Sequence, residues 1–243
     1  MNTLLAHRPC SSRLAASLAT AFAALLFSIP AAIAQNPAAL QARIQEIKVA
    51  SAANKKALAH YNWQESQTIS IKGEVKKQQT FLVNIGPDGQ QQKTPINAQP
   101  DQPSGGPLKR HIVAKKKAEF QDYGDQIADL ARQYTQPDPD RLQQAYAQGN
   151  ISLQLGGPPD TVTLTIKNYI KPSDQVTLVF NKQTKSIQSI RVASYLSDPS
   201  DAVTIAAQFA KLPDGTNHVT GTQINGVSKQ LTVVTQNSNY QPI

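Results

Sequence analysis

The chain has 243 residues, 24 Lys and Arg against 16 Asp and Glu, a formal net charge of +8 and a single Cys, Cys10. That length is enough to bury a core without staples, and one Cys excludes both an internal disulfide framework and a multi-cysteine metal site. Only 6% of residues are aromatic; Gln, Thr and Ser are abundant, which suits a β-rich domain with polar faces.

The first segment reads as an address. Arg8 and Arg13 precede an apolar stretch from Leu14 to Ile33, and Ala32-Ile33-Ala34 gives a small-x-small pattern before Gln35. This is the layout of a secretory signal peptide, residues 1–34, cleaved after Ala34. A retained anchor would need about 20 apolar residues, but Pro30 and the cleavage pattern oppose it. A lipoprotein would need a Cys at the cleavage point. Cleavage removes Cys10, so the expected product is a thiol-free, periplasmic or secreted single domain, 35–243, with no disulfide-linked partner.

Charge is unevenly placed. Residues 35–118 hold 13 basic and 5 acidic residues, whereas 119–243 hold 9 and 11. The densest run is Lys109-Arg110-His111 with Lys115-Lys116-Lys117, at the expected start of a helix. Cations there oppose the helix dipole at about 0.3–1 kcal/mol each, so local helix physics does not account for them. The run serves either as a patch for an anionic membrane surface or envelope polymer, or as a solvated helix end. Nucleic acid is not an expected partner, because the chain carries an export signal and no aromatic residues interleave with the basic ones.

The spacing of Leu40, Ile44, Ile47, Ser51 and Leu58 predicts an amphipathic helix over about Pro37 to His60. From Trp63 the period changes to two. Ile69, Ile71 and Val75 alternate with polar residues in one predicted strand, and Phe81, Val83 and Ile85 follow. Gly86-Pro87-Asp88-Gly89 is a turn signal. An exposed Pro/Gly loop is expected at 94–107, because Pro95, Pro100, Pro103 and Pro107 exclude a helix interior or central strand. A second helix covers about Leu108 to Tyr134, with Val113, Phe120, Ile127 and Tyr134 seven apart and Gly124 as a point of weakness. A third, short helix starts at the N-cap Asp138 with Pro139 and ends at Gly149.

Alternating runs follow at Ile151–Leu155, Val162–Ile166, Val176–Phe180, Ile190–Leu196 and Val203–Phe209. Asn225-Gly226 predicts a two-residue type I′ hairpin before the last strand, which carries Leu231 and Val233. Each strand is apolar on one side only, the mark of an antiparallel sheet with one covered face. The predicted fold is α+β: a curved antiparallel sheet, an open half-barrel of about nine strands, covered by two to three helices. An outer-membrane barrel is disfavoured by short, Thr/Gln/Lys-rich strands without an aromatic girdle.

This layout resembles the periplasmic lipoprotein carriers, the LolA-like half-barrels. The C-terminal rhythm carries the resemblance: Val176 to Phe180, the turn Asn181-Lys182-Gln183-Thr184, Ile187 to Leu196, then Leu212-Pro213-Asp214-Gly215-Thr216. The resemblance implies a concave apolar cavity for acyl chains; no ligand-binding residue transfers position by position.

Catalytic signals are sparse. His60, His111 and His218 are the histidines after residue 34, and none stands in a triad or zinc pattern. Ser104 lies in Pro-Ser-Gly-Gly-Pro, which is not a nucleophile elbow. His60 reads as a helix-end residue, His111 as part of the basic run, and His218 as a strand-face residue. Glu119, Asp122, Asp125 and Asp129 form a solvated helical stripe rather than a calcium loop. Tyr61 and Trp63, at the helix-to-strand junction, are the candidate aromatic contacts, with core packing as the competing role. The candidate contact set is therefore Tyr61, Trp63, Lys109, Arg110, Lys115, Lys116 and Lys117, with no catalytic residue, metal or cofactor. The expected function is a non-enzymatic exported carrier or binder of an apolar, acyl or lipid-like ligand in the cell envelope. A structural module without a cavity and an envelope-polymer hydrolase are the alternatives.

Overall fold

The computed structural model describes residues 49, 52–96, 107–134, 138–154, 160–181, 183 and 186–243. The expected signal peptide, most of the first helix, the loop core at 97–106 and the Gly156-Gly157-Pro158-Pro159 break lie outside the described residues.

Ten strands form one open, curved antiparallel sheet: β1 (Tyr61–Ile71), β2 (Glu74–Ile85), β3 (Gln91–Pro95), β4 (Ile151–Gln154), β5 (Thr161–Lys167), β6 (Gln175–Asn181), β7 (Ser186–Tyr195), β8 (Ala202–Lys211), β9 (Asn217–Gly226) and β10 (Leu231–Pro242). Their order is β3-β2-β1-β10-β9-β8-β7-β6-β5-β4. Neighbours in sequence pair, except β3 and β4, which form the two edges of the sheet; β1 lies against β10. The helices are α1 (described over residues 52–58), α2 (Pro107–Gln133) and α3 (Pro139–Ala147). The expected α+β half-barrel is therefore present, with ten strands rather than nine. No described helix is long and apolar enough to cross a membrane.

The extra strand is β3. Thr94 and Pro95, expected in the loop, instead pair with Leu82 and Phe81 at the sheet edge, where a strand proline costs no ladder bond. At the other end of that loop, Pro107 is already the first residue of α2. Two further expectations are corrected. The strand predicted through Val75 breaks at Lys72-Gly73, whose φ values of 54° and 78° make the β1–β2 turn. Both central residues are left-handed, as a type I′ turn requires, and Val75 is left exposed on β2. Asn225-Gly226 is not a turn: Gly226 pairs with Leu231 as the last residue of β9. Its glycine serves packing instead, since an added Cβ would lie 2.7 Å from Tyr123 Oη and Ile127 Cδ1 of α2.

The core follows from register. Ile166, Val176, Val192, Ile205, Ile224, Val233 and Ile69 are successive cross-strand partners, one apolar row over seven strands. α2 runs unbroken through Gly124 and sets Tyr123, Ile127, Leu130 and Tyr134 into this core; α3 adds Leu142 and Ala145. Each large aliphatic side chain so buried contributes about 1.5–3 kcal/mol. Asp138 caps α3 as expected, accepting from the backbone N–H of Asp140 and Arg141. A second, separate cluster holds Leu58 of α1 with Trp63, Phe81 and Val83.

Candidate functional site

Between the two clusters the concave face changes character. The row next to the apolar one begins Leu164, Leu178, Ile190, Ala207 and then becomes Thr222, Thr235, Gln67. The following positions on β10 and β1 are Asn237 and Glu65, which are cross-strand partners. Thr222, Thr235, Gln67 and Glu65 are all buried. The same period-two phase that points Ile69 and Ile71 inward thus points Gln67 and Glu65 inward too, and the concave face carries a polar sector walled by apolar clusters.

Glu65 is ion-paired with Lys93, which reaches over β2 from the edge strand β3. Their side chains are 2% and 4% exposed, and Lys93 Nζ lies 5.9 Å from the centre of the Phe81 ring. Removing two charges from water costs several kcal/mol per ion, so such a pair persists only when each member neutralises the other. An inward-pointing lysine also discourages a second chain from adding to the β3 edge.

The sheet splits beside this pair. The β9–β10 ladder stops at Gly221 and Gln236, while β10 continues along β1 to Pro242. Side chains bridge the gap: Asn237 Nδ2 and Tyr240 Oη donate to the carbonyl of Val219, at 3.1 and 3.0 Å. The Tyr240 ring stacks on Trp63 at 5.3 Å, and His218 meets Tyr240 edge-on at 4.3 Å. Burial and the nearby Glu65 charge push the Tyr240 hydroxyl up, and burial pushes His218 down. Burial therefore favours the neutral imidazole of His218, which lies on strand β9 as expected and is buried there.

Polar satisfaction is incomplete here. Among the described residues, seven buried side-chain atoms have no hydrogen-bond partner: Trp63 Nε1, Gln67 Nε2, Gln91 Oε1, Asn217 Oδ1, His218 Nδ1, Thr235 Oγ1 and Asn237 Oδ1. All seven lie on β1, β3, β9 and β10. Each buried unpaired group costs about 1–3 kcal/mol, so their confinement to these four strands marks a part of the sheet where the described residues do not close their own hydrogen bonding.

Of the residues singled out from sequence, Trp63 lies in this sector. Tyr61 does not; its hydroxyl donates to Asp214 at 2.8 Å and ties β1 to the β8–β9 turn. Lys115 and Lys116 are exposed on α2, and Lys109, Arg110 and Lys117 share that helix without described side-chain positions. Among the described side chains, no contact joins Lys115 or Lys116 to the polar sector. Among the described residues, no three His, Cys, Asp or Glu side chains are grouped to hold a metal ion. Glu65, Gln67, Lys93, Thr235 and Asn237 were missed by sequence reading. The available signal was the phase of β1: polar residues at the inward positions set by Ile69 and Ile71.

No family model matches this chain, and no curated protein is similar to it. It is similar in structure to a DUF1329 family protein from Desulfovibrio piger, at 12% identity and a TM-score of 0.37, over 79% of this chain and 90% of that one. A likeness of this degree says nothing about ligand or activity.

Proposed function

We propose that the protein is a non-enzymatic, exported binding protein of the cell envelope that receives an apolar-tailed ligand on the concave face of β1, β9 and β10. One observation carries this reading: of the seven unpartnered buried polar atoms among the described residues, six lie on these three strands, between two apolar clusters. Apolar walls would shelter a tail, and the buried, unpartnered donors and acceptors would hold the polar end, as in most small-molecule sites. The layout resemblance to periplasmic lipoprotein carriers agrees with it. The basic start of α2, from Lys109 to Lys117, would then bring the protein to an anionic membrane surface where such ligands reside.

A second reading has its own support. Over β5–β8 the concave face is filled by α2 and α3 side chains in one contiguous core, as in a module that only packs and docks.

Trp63 is the chain's only tryptophan and sits in the sector, so its fluorescence reports occupancy. Titration of the purified protein with a dodecyl glycoside and with dodecanoate, both below their micelle thresholds, should give a saturable change with at least one. No saturable change with either overturns the binding reading and favours the packed module.

A further inference from the structure

We infer that the polar sector recognises an uncharged, hydroxyl-bearing group, a sugar or polyol, rather than a carboxylate, phosphate or ammonium. This rests on the binding reading and deepens it.

The unpartnered atoms are mixed in kind. The Trp63 indole N–H can only donate, and Gln67 Nε2 is a donor. Asn237 Oδ1 can only accept, and the Nδ2 bond to the Val219 carbonyl fixes which way round the amide sits. The Thr235 hydroxyl can do either, whereas His218 Nδ1 accepts, because the other ring nitrogen carries the proton that it donates to the Ala210 backbone. A ligand hydroxyl donates once and accepts twice, so two or three of them on adjacent carbons meet both kinds of atom. A carboxylate or phosphate only accepts. It would satisfy Trp63 and Gln67 but face Asn237 Oδ1 lone pair to lone pair. An ammonium has the opposite fault.

Charge gives the same answer independently. The ionised groups in the sector are Glu65 and Lys93, and they are committed to each other. Among the described residues no other ion pair lies in the sector, so a charged ligand would meet no free counter-charge there, and a buried unpaired charge is far costlier than a buried hydroxyl. The Trp63–Tyr240 stack and the His218 edge hold the walls rigid, which lowers the ordering cost of binding.

The same hydroxyl chemistry could come from a free sugar or from the headgroup of a glycolipid, and the titration separates them. Trp63 fluorescence is followed with dodecyl maltoside monomers, free maltose and dodecanoate, on the wild type, Thr235→Val and Thr235→Ser. The glycoside should bind at least about tenfold more tightly than dodecanoate, equivalent to ~1.4 kcal/mol. Thr235→Val removes an unpartnered hydroxyl at nearly constant shape, so it should raise the melting temperature while weakening glycoside binding about fivefold; Thr235→Ser should bind like the wild type. Maltose binding alone identifies a free sugar, and a requirement for the chain identifies a lipid headgroup; both support the inference. Dodecanoate binding as tightly as the glycoside, or unchanged glycoside affinity in Thr235→Val, overturns it while leaving the binding reading intact. Failure of all three ligands to bind overturns the binding reading itself.

Discussion

Two carboxylates in this protein are each about 1% exposed, and the chain treats them differently. Asp174, in the loop between β5 and β6, accepts from the Tyr134 hydroxyl at 2.6 Å and from the backbone N–H of Tyr169, Ile170 and Lys171 at 2.6, 2.9 and 2.8 Å. Tyr134 also lies 2.8 Å from Ser194 Oγ, from which it accepts, and burial together with Asp174 pushes its own ionisation up. This network closes on itself and pins the end of α2 to the sheet. Glu65, in contrast, has one lysine partner and sits among neighbours with unmet hydrogen bonds. A buried acid surrounded by its own backbone reads as structure. A buried acid beside unpartnered polar atoms reads as a candidate site.

The comparison can be broken first at Asp174. Asp174→Ala leaves three backbone N–H groups and a tyrosine hydroxyl without an acceptor, and should cost about 3–5 kcal/mol in urea unfolding. The Trp63 ligand response of the folded fraction should survive. Loss of less than about 1 kcal/mol would contradict the closed-network account.

The second cut is at the ion pair. Lys93→Met alone strands Glu65 and should cost about 3 kcal/mol or more, whereas the double variant Glu65→Leu with Lys93→Met should return close to wild-type stability. A double-mutant cycle measures the difference. Additive losses would mean that the two side chains do not act as a pair.

The smallest effect is the pH dependence of His218. Burial lowers its folded pKa below the unfolded value of 6.5, so the unfolded state binds more protons as pH falls beneath that value. Stability is therefore fully present above pH 6.5 and declines through the window below it. Tyr240 faces the ring and Glu65 lies near Tyr240. Thermal unfolding between about pH 7.5 and 5 should show a falling midpoint, with a flatter profile in His218→Gln. Equal slopes in the two proteins would remove His218 from the account.

Much of the fold was legible because side-chain alternation is a local property. Val176, Leu178 and Phe180, or Val203, Ile205, Ala207 and Phe209, announce a buried face without help from any neighbour, and Asp138-Pro139 announces a helix start. The errors fell where one residue type serves two purposes. Gly226 looked like a turn residue but makes room for Tyr123 and Ile127; Lys72-Gly73 carries the left-handed turn although lysine seldom signals one. The site was less legible, for a physical reason. Glu65, Lys93, Thr235 and His218 lie on four strands far apart in sequence, and only the pairing of β1 with β10 brings them together. Polar residues in the inward phase of β1 were visible; their companions were not.

That pairing also orders the making of the molecule. Tyr61 is the partner of Pro242, and the Ile243 N–H donates to the carbonyl of His60. β1, β2 and β3 can form their hairpins early, yet they have no sheet to join until the last strand has been synthesised. Contacts between the two ends of a chain are slow to form because a long loop must close first. The half of the sheet that holds the polar sector is therefore the last to be assembled. Until then its edge and apolar cluster stand open, so a chaperone that holds nascent chains has most to protect in the segment from Tyr61 to Pro95.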